Sequence, residues 1–454
     1  MFSKVVVANR GAVAARVLRS LDRLGIRSVA VYSEADKDAP YLALAGEAHC
    51  IGPAAPKASY LNQPAILGVM RQVGADALHP GYGFLSENHR FALEVQAAGA
   101  AFIGPSPRWI EAMGHKTRAR ALMAEHGMPL CPSTGVLAGT GEQALAEAHA
   151  IGFPVLVKPA NGGGGIGMLP AHCPGDLEAA LERARSLAAR SFGDSEVYLE
   201  RLLRKPRHIE FQMLADNYGE VRHIYERDCS VQRRHQKIIE EAVAPALARS
   251  EAEATATRVE KILASIGYNN IGTVEMLYDA NAGFNFLEMN TRLQVEHAVT
   301  EEVTGLDLVA AQIRLAAGAR LADVLPESIV LDGHAVEARV YAEDPRRFLP
   351  SPGPLTVFRP PTGEGIRVET GYAEGGAVTP FYDPMIAKVI ARGATRDIAL
   401  DRLAAALADF EVRGVKTNIP FVQAVLSDEG FRAGQVHTSL AAEVVARGEK
   451  RAAA

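Results

Sequence analysis

The chain has 454 residues, room for two to four domains, with three as the working number. Hydrophobic residues at 48% and charged residues at 22% describe an ordinary soluble globular protein. A formal charge of −5 gives no reason to expect nucleic acid or an anionic membrane surface as a main partner, and no stretch approaches 18 uninterrupted apolar residues. Cys50, Cys131, Cys173 and Cys229 are far apart, without a CxxC pair, so buried free thiols in a reducing compartment are expected. The opening "MFSKVVVANRGAVAARVL" is not a signal peptide, because an arginine-bearing helical pattern follows its one short apolar run. A cytoplasmic protein is expected.

"KVVVANRG" reads as a buried strand ending in a Gly turn, "AVAARVLRSLDRLG" as a helix with a glycine stop, and "IRSVAVYSEAD" as the next strand. "ADALHPGYGF" and "AAFIGPSP" continue the rhythm, so residues 1–113 are expected to form a parallel α/β domain. Without GxGxxG, no dinucleotide is implied. From "GHKTRARALMAEHGMP" onward the strands come as hairpins. "RHIEFQMLAD" places His208, Glu210 and Gln212 on one face and Ile209, Phe211 and Met213 on the other. "GTVEMLYDANAGFNFLEMN" reads as two strands around an Asn-Ala-Gly turn. This second unit is expected over 114–330. A third, over 331–446, carries "HAVEARVYAEDP", "GIRVET" and "MIAKVIARG" and closes with the helical "TRDIALDRLAAALADF".

In "VLVKPANGGGGIGML", Gly162, Gly163, Gly164 and Gly165 run together and Gly167 follows. This is not a P-loop: Lys158 precedes the glycines, Ile166 interrupts them, and no Lys-Ser or Lys-Thr pair follows. Such a run suits a backbone lying close to a ligand, or a lid, as well as a plain flexible loop. The strand "FPVLVK" ending at a lysine favours a flap over phosphates, an arrangement protein kinases also use, although the rest of the kinase signature is absent.

In "LEMNTRLQVEH", Glu288, Asn290, Arg292, Gln294 and Glu296 alternate with Met289, Thr291, Leu293 and Val295. An extended segment would turn all five polar groups one way, either as a solvated face or as a site. These residue types are poor strand formers, which favours a site. Folding the hairpin about Asn281 brings Glu275 close to Glu288, and two carboxylates there call for a cation; Mg²⁺ fits. "CSVQRRHQKIIEE" supplies Gln232, Arg233, Arg234, His235 and Lys237, a weak nucleic-acid patch but a sensible positive wall for an anionic site.

The sequence resembles biotin carboxylase, an ATP-grasp ligase, over almost its whole length. The matching segments, in the family's order, are "ANRGAVAARVLR", "HPGYGFLSEN", "FIGPSP", "MGHKTRAR", "KPANGGGGIGM", "ERDCSVQRRHQKIIEEA", "FLEMNTRLQVEH", "HAVEARVYAEDP" and "YDPMIAKVI". The resemblance implies an N-terminal parallel α/β domain, a central ATP-grasp domain with a Gly-rich lid over about 131–203, and a C-terminal mixed α+β domain. It implies that Lys116 and Lys158 contact phosphates under the glycine flap, that Glu200 and the backbone through Leu203 hold adenine, and that His208, Gln232 and His235 line the nucleotide site. Glu275, Glu288 and Asn290 would carry Mg²⁺, with Mn²⁺ as a substitute. Arg292, Gln294 and Val295 would hold bicarbonate and Glu296 would be the general base. Lys237 would stabilise the transferring phosphoryl group, Tyr82 and Gly83 would seat biotin, and Arg339 would offset charge on its ureido oxygen.

Ile166 stands where most relatives carry Lys or Arg. Arg23 and Glu364 differ near the usual dimer contact, although a homodimer is still expected. No Met-Lys-Met biotinylation site is present, so biotin is expected on a separate carrier protein, with a separate carboxyltransferase. The resemblance implies the first half-reaction of an acyl-CoA carboxylase, acetyl-CoA foremost. A two-subunit pyruvate carboxylase is the alternative; a carbamoyl-phosphate-type ligase and a nucleotide-binding subunit without turnover are further ones. His79, Glu87 and Cys229 are open between structural and functional roles, as are Arg10 and Arg16. Trp109 reads as packing and Asp383 as a turn residue.

Overall fold

The computed structural model describes residues 1–139, 141–161 and 166–453, so the glycines Gly162, Gly163, Gly164 and Gly165 lie outside the described residues. The first sheet has five parallel strands in the order Glu47–Cys50, Arg27–Tyr32, Lys4–Val7, Ala77–His79, Ala101–Phe102. After Lys4 its central strand is apolar and buried, Val5 to Val7, because helices cover both faces. Val5 and Val7 meet Val13, Val17, Leu18 and Leu21 of the helix Gly11–Arg23. Val6 meets Ile66, Leu67 and Met70 of Gln63–Val73 and Phe91 of His89–Ala97. The side chains of Asn62 and Asn88 cap these last two helices by accepting from the Ala65 and Phe91 amides.

The second sheet has eight strands, in the order Gly283–Asn290, Asn270–Asp279, Arg207–Ala215, Val221–Arg233, Gln236–Ala242, His334–Tyr341, Met385–Gly393, Ile366–Glu369, all antiparallel. Gln236–Ala242 pairs with His334–Tyr341, so one hydrogen-bonded sheet runs across residue 330. The period-two pattern of Arg207–Ala215 is realised. Ile209, Phe211 and Met213 pack under Val259, Ile262 and Leu263 of the helix Arg249–Ile266, each large side chain contributing roughly 1.5–3 kcal/mol. Trp109 belongs to this core, its indole N–H donating to the Gly267 carbonyl at 2.9 Å.

A four-stranded sheet, Ser133–Val136, Val197–Arg201, Val155–Pro159, Leu169–Ala171, stands over the second one with the helices Glu142–Ile151 and Pro174–Phe192. Its core, from Leu137 to Leu199, is built from this segment alone. The parallel α/β unit, the central hairpin-rich unit and the mixed C-terminal unit are all present. Gly371 touches Gly11 so closely that a Cβ would come within 2.3 Å of the Gly11 Cα, which joins the C-terminal unit to the first sheet beside the cleft. Among the described residues no helix is long and apolar enough to cross a membrane. All four cysteines are free; Cys131 and Cys229 are buried as expected, whereas Cys50 and Cys173 are exposed.

Candidate active site

One cleft of about 1410 Å³ opens between the sheets. Every described candidate residue lines it except Gly167, whose φ of +79° places it beside Pro159 behind the wall. Tyr82 and Gly83 come from the C-terminal edge of the parallel sheet, Lys158, Glu200 and Leu203 from the covering sheet and its exit, and the remainder mostly from the eight-stranded sheet.

At the centre, the Lys237 ammonium donates to Glu210 at 2.6 Å, Glu275 at 2.8 Å and Glu296 at 2.6 Å. Arg339 donates to Glu240 at 2.6 Å and to Glu296 at 2.9 Å. Behind them the fully buried Arg227 holds Glu210 at 2.6 Å and Gln212 at 2.9 Å. Burial alone would raise the Glu296 carboxyl, but Lys237, Arg339 and Arg227 together hold it well below the usual carboxylate range. Glu275 is likewise held low against its burial, by Lys237 and His208. Glu240 goes the other way: burial, with Glu337 and Glu296 nearby, outweighs Arg339 and pushes it up to about 8.

The hairpin turns at Asn281, whose amide donates to Asp279, and its register sets Glu275 directly opposite Glu288. The alternation through Glu296 is only half right. The strand ends at Asn290, Thr291–Glu296 is irregular, and a helix starts at His297. Side chains replace the ladder: Glu87 accepts from the Thr291 amide, and the Gln294 carbonyl faces the His297 ring at 2.7 Å. The five polar groups still meet in one cleft. Arg292 bridges them, donating to Glu87 at 2.8 Å, Asn290 at 3.0 Å and Gln294 at 2.9 Å.

The carboxylate repulsion that called for a cation is relieved within the chain, since Lys116 pairs with Glu288 at 2.8 Å and Lys237 with Glu275. The donor set still suits Mg²⁺. Glu275, Glu288 and Asn290 offer hard oxygens from adjacent strands, and only one or two carboxylates are needed when substrate phosphate supplies the rest.

Farther along, Lys158 donates to Glu200 at 3.0 Å, and Arg120 holds the other carboxylate oxygen at 2.8 Å. Both Glu200 oxygens thus face cations, although Oε2 makes no hydrogen bond among the described residues, and Leu203 lines the cleft just beyond the strand. Gln232 lies 2.8 Å from His208 Nδ1, while His208 Nε2 faces Glu275 at 3.0 Å. Arg234 and His235, with φ of 51° and 66°, make the two-residue hairpin that presents His235 to the cleft. Burial and then Lys158 and Lys116 lower the His235 pKa, keeping it neutral.

The structure gives the open cases these surroundings. Glu87 orients Arg292. His79 is buried, accepting from the Gly81 amide through Nδ1, and Cys229 lies 3.8 Å from Glu296. Arg10 lines the cleft in a two-point contact with Asp36, whereas Arg16 is buried outside it against Glu301 and Asp307. Asp383 accepts from the Met385 amide, as a turn residue does, and also faces the cleft. Sequence reasoning missed Arg120, Arg227 and Glu240 as partners of site residues.

Residues 1–110 match the biotin carboxylase N-terminal domain, 115–324 the ATP-binding domain of the carbamoyl-phosphate synthase L chain, and 337–443 the biotin carboxylase C-terminal domain. The chain is 49% identical over 441 residues to biotin carboxylase 2 of Bacillus subtilis, covering 96% of this chain and 98% of that one. It is 48% identical over 439 residues to a pyruvate carboxylase subunit of Methanothermobacter thermautotrophicus, covering 96% and 89%. It superposes with a TM-score of 0.94, at 42% identity, on the biotin carboxylase domain dimer of the Hydrogenobacter thermophilus 2-oxoglutarate carboxylase, solved with MgADP, ADP and bicarbonate, covering 98% and 99%. The full-length match and this cleft agree: the chain belongs to the biotin carboxylase family.

Proposed function

We propose that the chain uses ATP and bicarbonate to carboxylate biotin borne on a separate carrier protein. The observation that carries this reading is the meeting of Arg292, Lys237 and Arg339 around Glu296, in the cleft that Glu275 and Glu288 also line. Lys116 and Lys158 face the phosphates, with the backbone at Leu203 against adenine and His208, Gln232 and His235 along the nucleotide. Mg²⁺ at Glu275, Glu288 and Asn290 supplies charge neutralisation of the phosphates.

Arg292, with Gln294 and the Val295 backbone, grips bicarbonate, whose oxygen attacks the γ-phosphorus as ADP leaves. Glu296 accepts the bicarbonate proton. Paired with Lys237 and Arg339 it is too acidic for that task. Drawing Lys237 onto the transferring phosphoryl group and Arg339 onto the biotin ureido oxygen removes both cations and raises its basicity. Carboxyphosphate breaks to CO₂ and phosphate. Phosphate takes the ureido N–H proton, and the nitrogen, held at Tyr82 and Gly83, attacks CO₂ while Arg339 offsets the oxygen's charge.

Three domains, 1–113, 114–330 and 331–446, divide the work, with 131–203 as the cover. We assign the product to a separate carboxyltransferase that works on an acyl-CoA, acetyl-CoA foremost. A two-subunit pyruvate carboxylase is the second reading, supported by the 48% identity to a pyruvate carboxylase subunit. The chain is taken as a cytoplasmic homodimer, as the 2-oxoglutarate carboxylase relative is a dimer. The test is ADP release from Mg-ATP with bicarbonate, with and without free biotin. Stimulation by biotin is expected. Stimulation by ammonia instead points to a carbamoyl-phosphate-type ligase, and no release to a subunit without turnover.

A further inference from the structure

We propose that Lys388 is a positioning residue: its ammonium fixes the peptide joining Val295 to Glu296 and so aims the base. The inference rests on the biotin carboxylase reading above. Thr291–Glu296 carries Arg292, Gln294 and Glu296 yet has no strand ladder, so its backbone is set by side chains. Glu87 takes the Thr291 amide, Arg292 donates to the Leu293 carbonyl, and His297 meets the Gln294 carbonyl. The carbonyl next to the base, that of Val295, accepts from Lys388 Nζ at 2.5 Å.

Lys388 reaches it from the seventh strand of the eight-stranded sheet, next to the edge, between Arg339 on one neighbouring strand and Glu369 on the other. It is fully buried, and burying an ammonium is costly unless it is paired. Glu369 at 3.0 Å and Glu337 at 3.5 Å supply that pairing. Burial would lower its pKa, but these two carboxylates and Tyr82 raise it despite Arg367, so the ammonium persists at working pH. Ion pairing alone needs no third partner. A methionine would fill much of the space without the desolvation cost, but it cannot hold the Val295 carbonyl.

Removing Lys388 alone strands Glu337, so the informative variant is Lys388→Met with Glu337→Gln, judged against Glu337→Gln alone. In both, Glu369 keeps Arg367 and Arg16. Relative to that control, bicarbonate-dependent ADP release is expected to fall about tenfold to a hundredfold, as for loss of one charged hydrogen bond, with an unchanged KM for ATP. Amide hydrogen exchange across 291–297 is expected to accelerate while the rest of the sheet is unaffected. Equal turnover and exchange in the two variants overturns the proposal. So does faster exchange throughout the sheet with a parallel rise in the KM for ATP, which marks a structural role only. If the wild-type chain itself shows no bicarbonate-dependent release, the functional reading fails, and exchange still decides whether Lys388 holds the peptide.

Discussion

The floor and the roof of the cleft are built on different principles. On the floor, Lys237, Glu210, Glu275, Glu296, Arg339 and Glu240 form one chain of contacts between 2.6 and 2.9 Å; all but Glu296, which lies in the irregular segment before His297, stand on strands of the one sheet that the central and C-terminal units share. No member can change without altering its neighbours' charge balance. The roof has its own small core, and among the described residues its Lys158 and Glu200 form a small cluster with Arg120 of the preceding helix Lys116–Glu125. A floor of coupled charges suits the bond-making step, and a roof with a separate core suits enclosing the nucleotide. Floor substitutions are therefore expected to act on kcat and roof substitutions on the KM for ATP.

The harshest trial of that division is Glu296→Gln. The amide keeps the shape and loses the base, and Lys237 retains Glu210 and Glu275. Bicarbonate-dependent ADP release is expected to drop by about 10²–10⁴, with little change in the KM for ATP; near-normal kcat ends the base assignment. Arg339→Met comes next. It strands Glu240, but that carboxyl is already pushed up to about 8 and can take a proton. Biotin-stimulated turnover is expected to fall about 10²–10³ while release without biotin largely persists. Equal loss of both activities would place Arg339 in the phosphoryl-transfer step instead.

Glu87→Gln sharpens the boundary, because Glu87 lies outside the cleft lining and is 40% exposed in its pair with Arg292, which lines it. An exposed pair is worth about 0–1 kcal/mol, so the KM for bicarbonate is expected to rise no more than about fivefold. A larger rise would mean that Arg292 depends on Glu87 for its aim far more than Asn290 and Gln294 can offset.

Acid separates the two kinds of buried carboxyl. Glu275, Glu296, Glu301 and Glu369 are held low in the folded state, each against its own burial, by facing cations. Their stabilisation is present above the unfolded value of about 4.3 and is lost as pH falls through the folded values. Glu337 is pushed up to about 7 and Glu240 to about 8, chiefly by burial, so their effect has the opposite sign. There the folded state keeps protons the unfolded chain has released, and stability declines as pH rises from about 4.3 toward neutrality. Urea midpoints are expected to drop below about pH 4.3 and, between pH 5 and 8, to fall less steeply in Glu337→Gln than in the wild type. An unchanged slope would mean that Glu337 is ionised at neutral pH.

What could be read beforehand divides along the same line. The alternation of His208, Glu210 and Gln212 against Ile209, Phe211 and Met213 fixed both faces of a strand, because period two is a local property. Glu275 opposite Glu288 followed from the hairpin for the same reason. The pattern failed at Thr291, where Glu87, from another part of the chain, takes the amide that a ladder would have used. Nothing local marks Glu240 as the partner of Arg339 or Lys388 as the partner of Val295, since those contacts exist only after Gln236–Ala242, His334–Tyr341 and Met385–Gly393 pair. The glycine run suggested a cover, but the lock on Glu200 depends on Arg120, eighty residues earlier.

The mildest test falls on the roof. Ile166 follows the glycine run and is 49% exposed; on the proposed reading, a basic residue there would add charge facing phosphates. Its apolar side chain has no place in the roof's core, which closes without it. Ile166→Arg is therefore expected to leave folding and kcat unchanged. A cation there would be solvent-screened and would pay the entropy of ordering a long side chain, which limits its value to about 1 kcal/mol at most. The KM for ATP is expected to fall by up to about fivefold, less so at high salt because the added attraction is exposed. A drop in kcat without a change in nucleotide affinity would show that the roof takes part in the chemical step, and the separation of roof from floor would then fail.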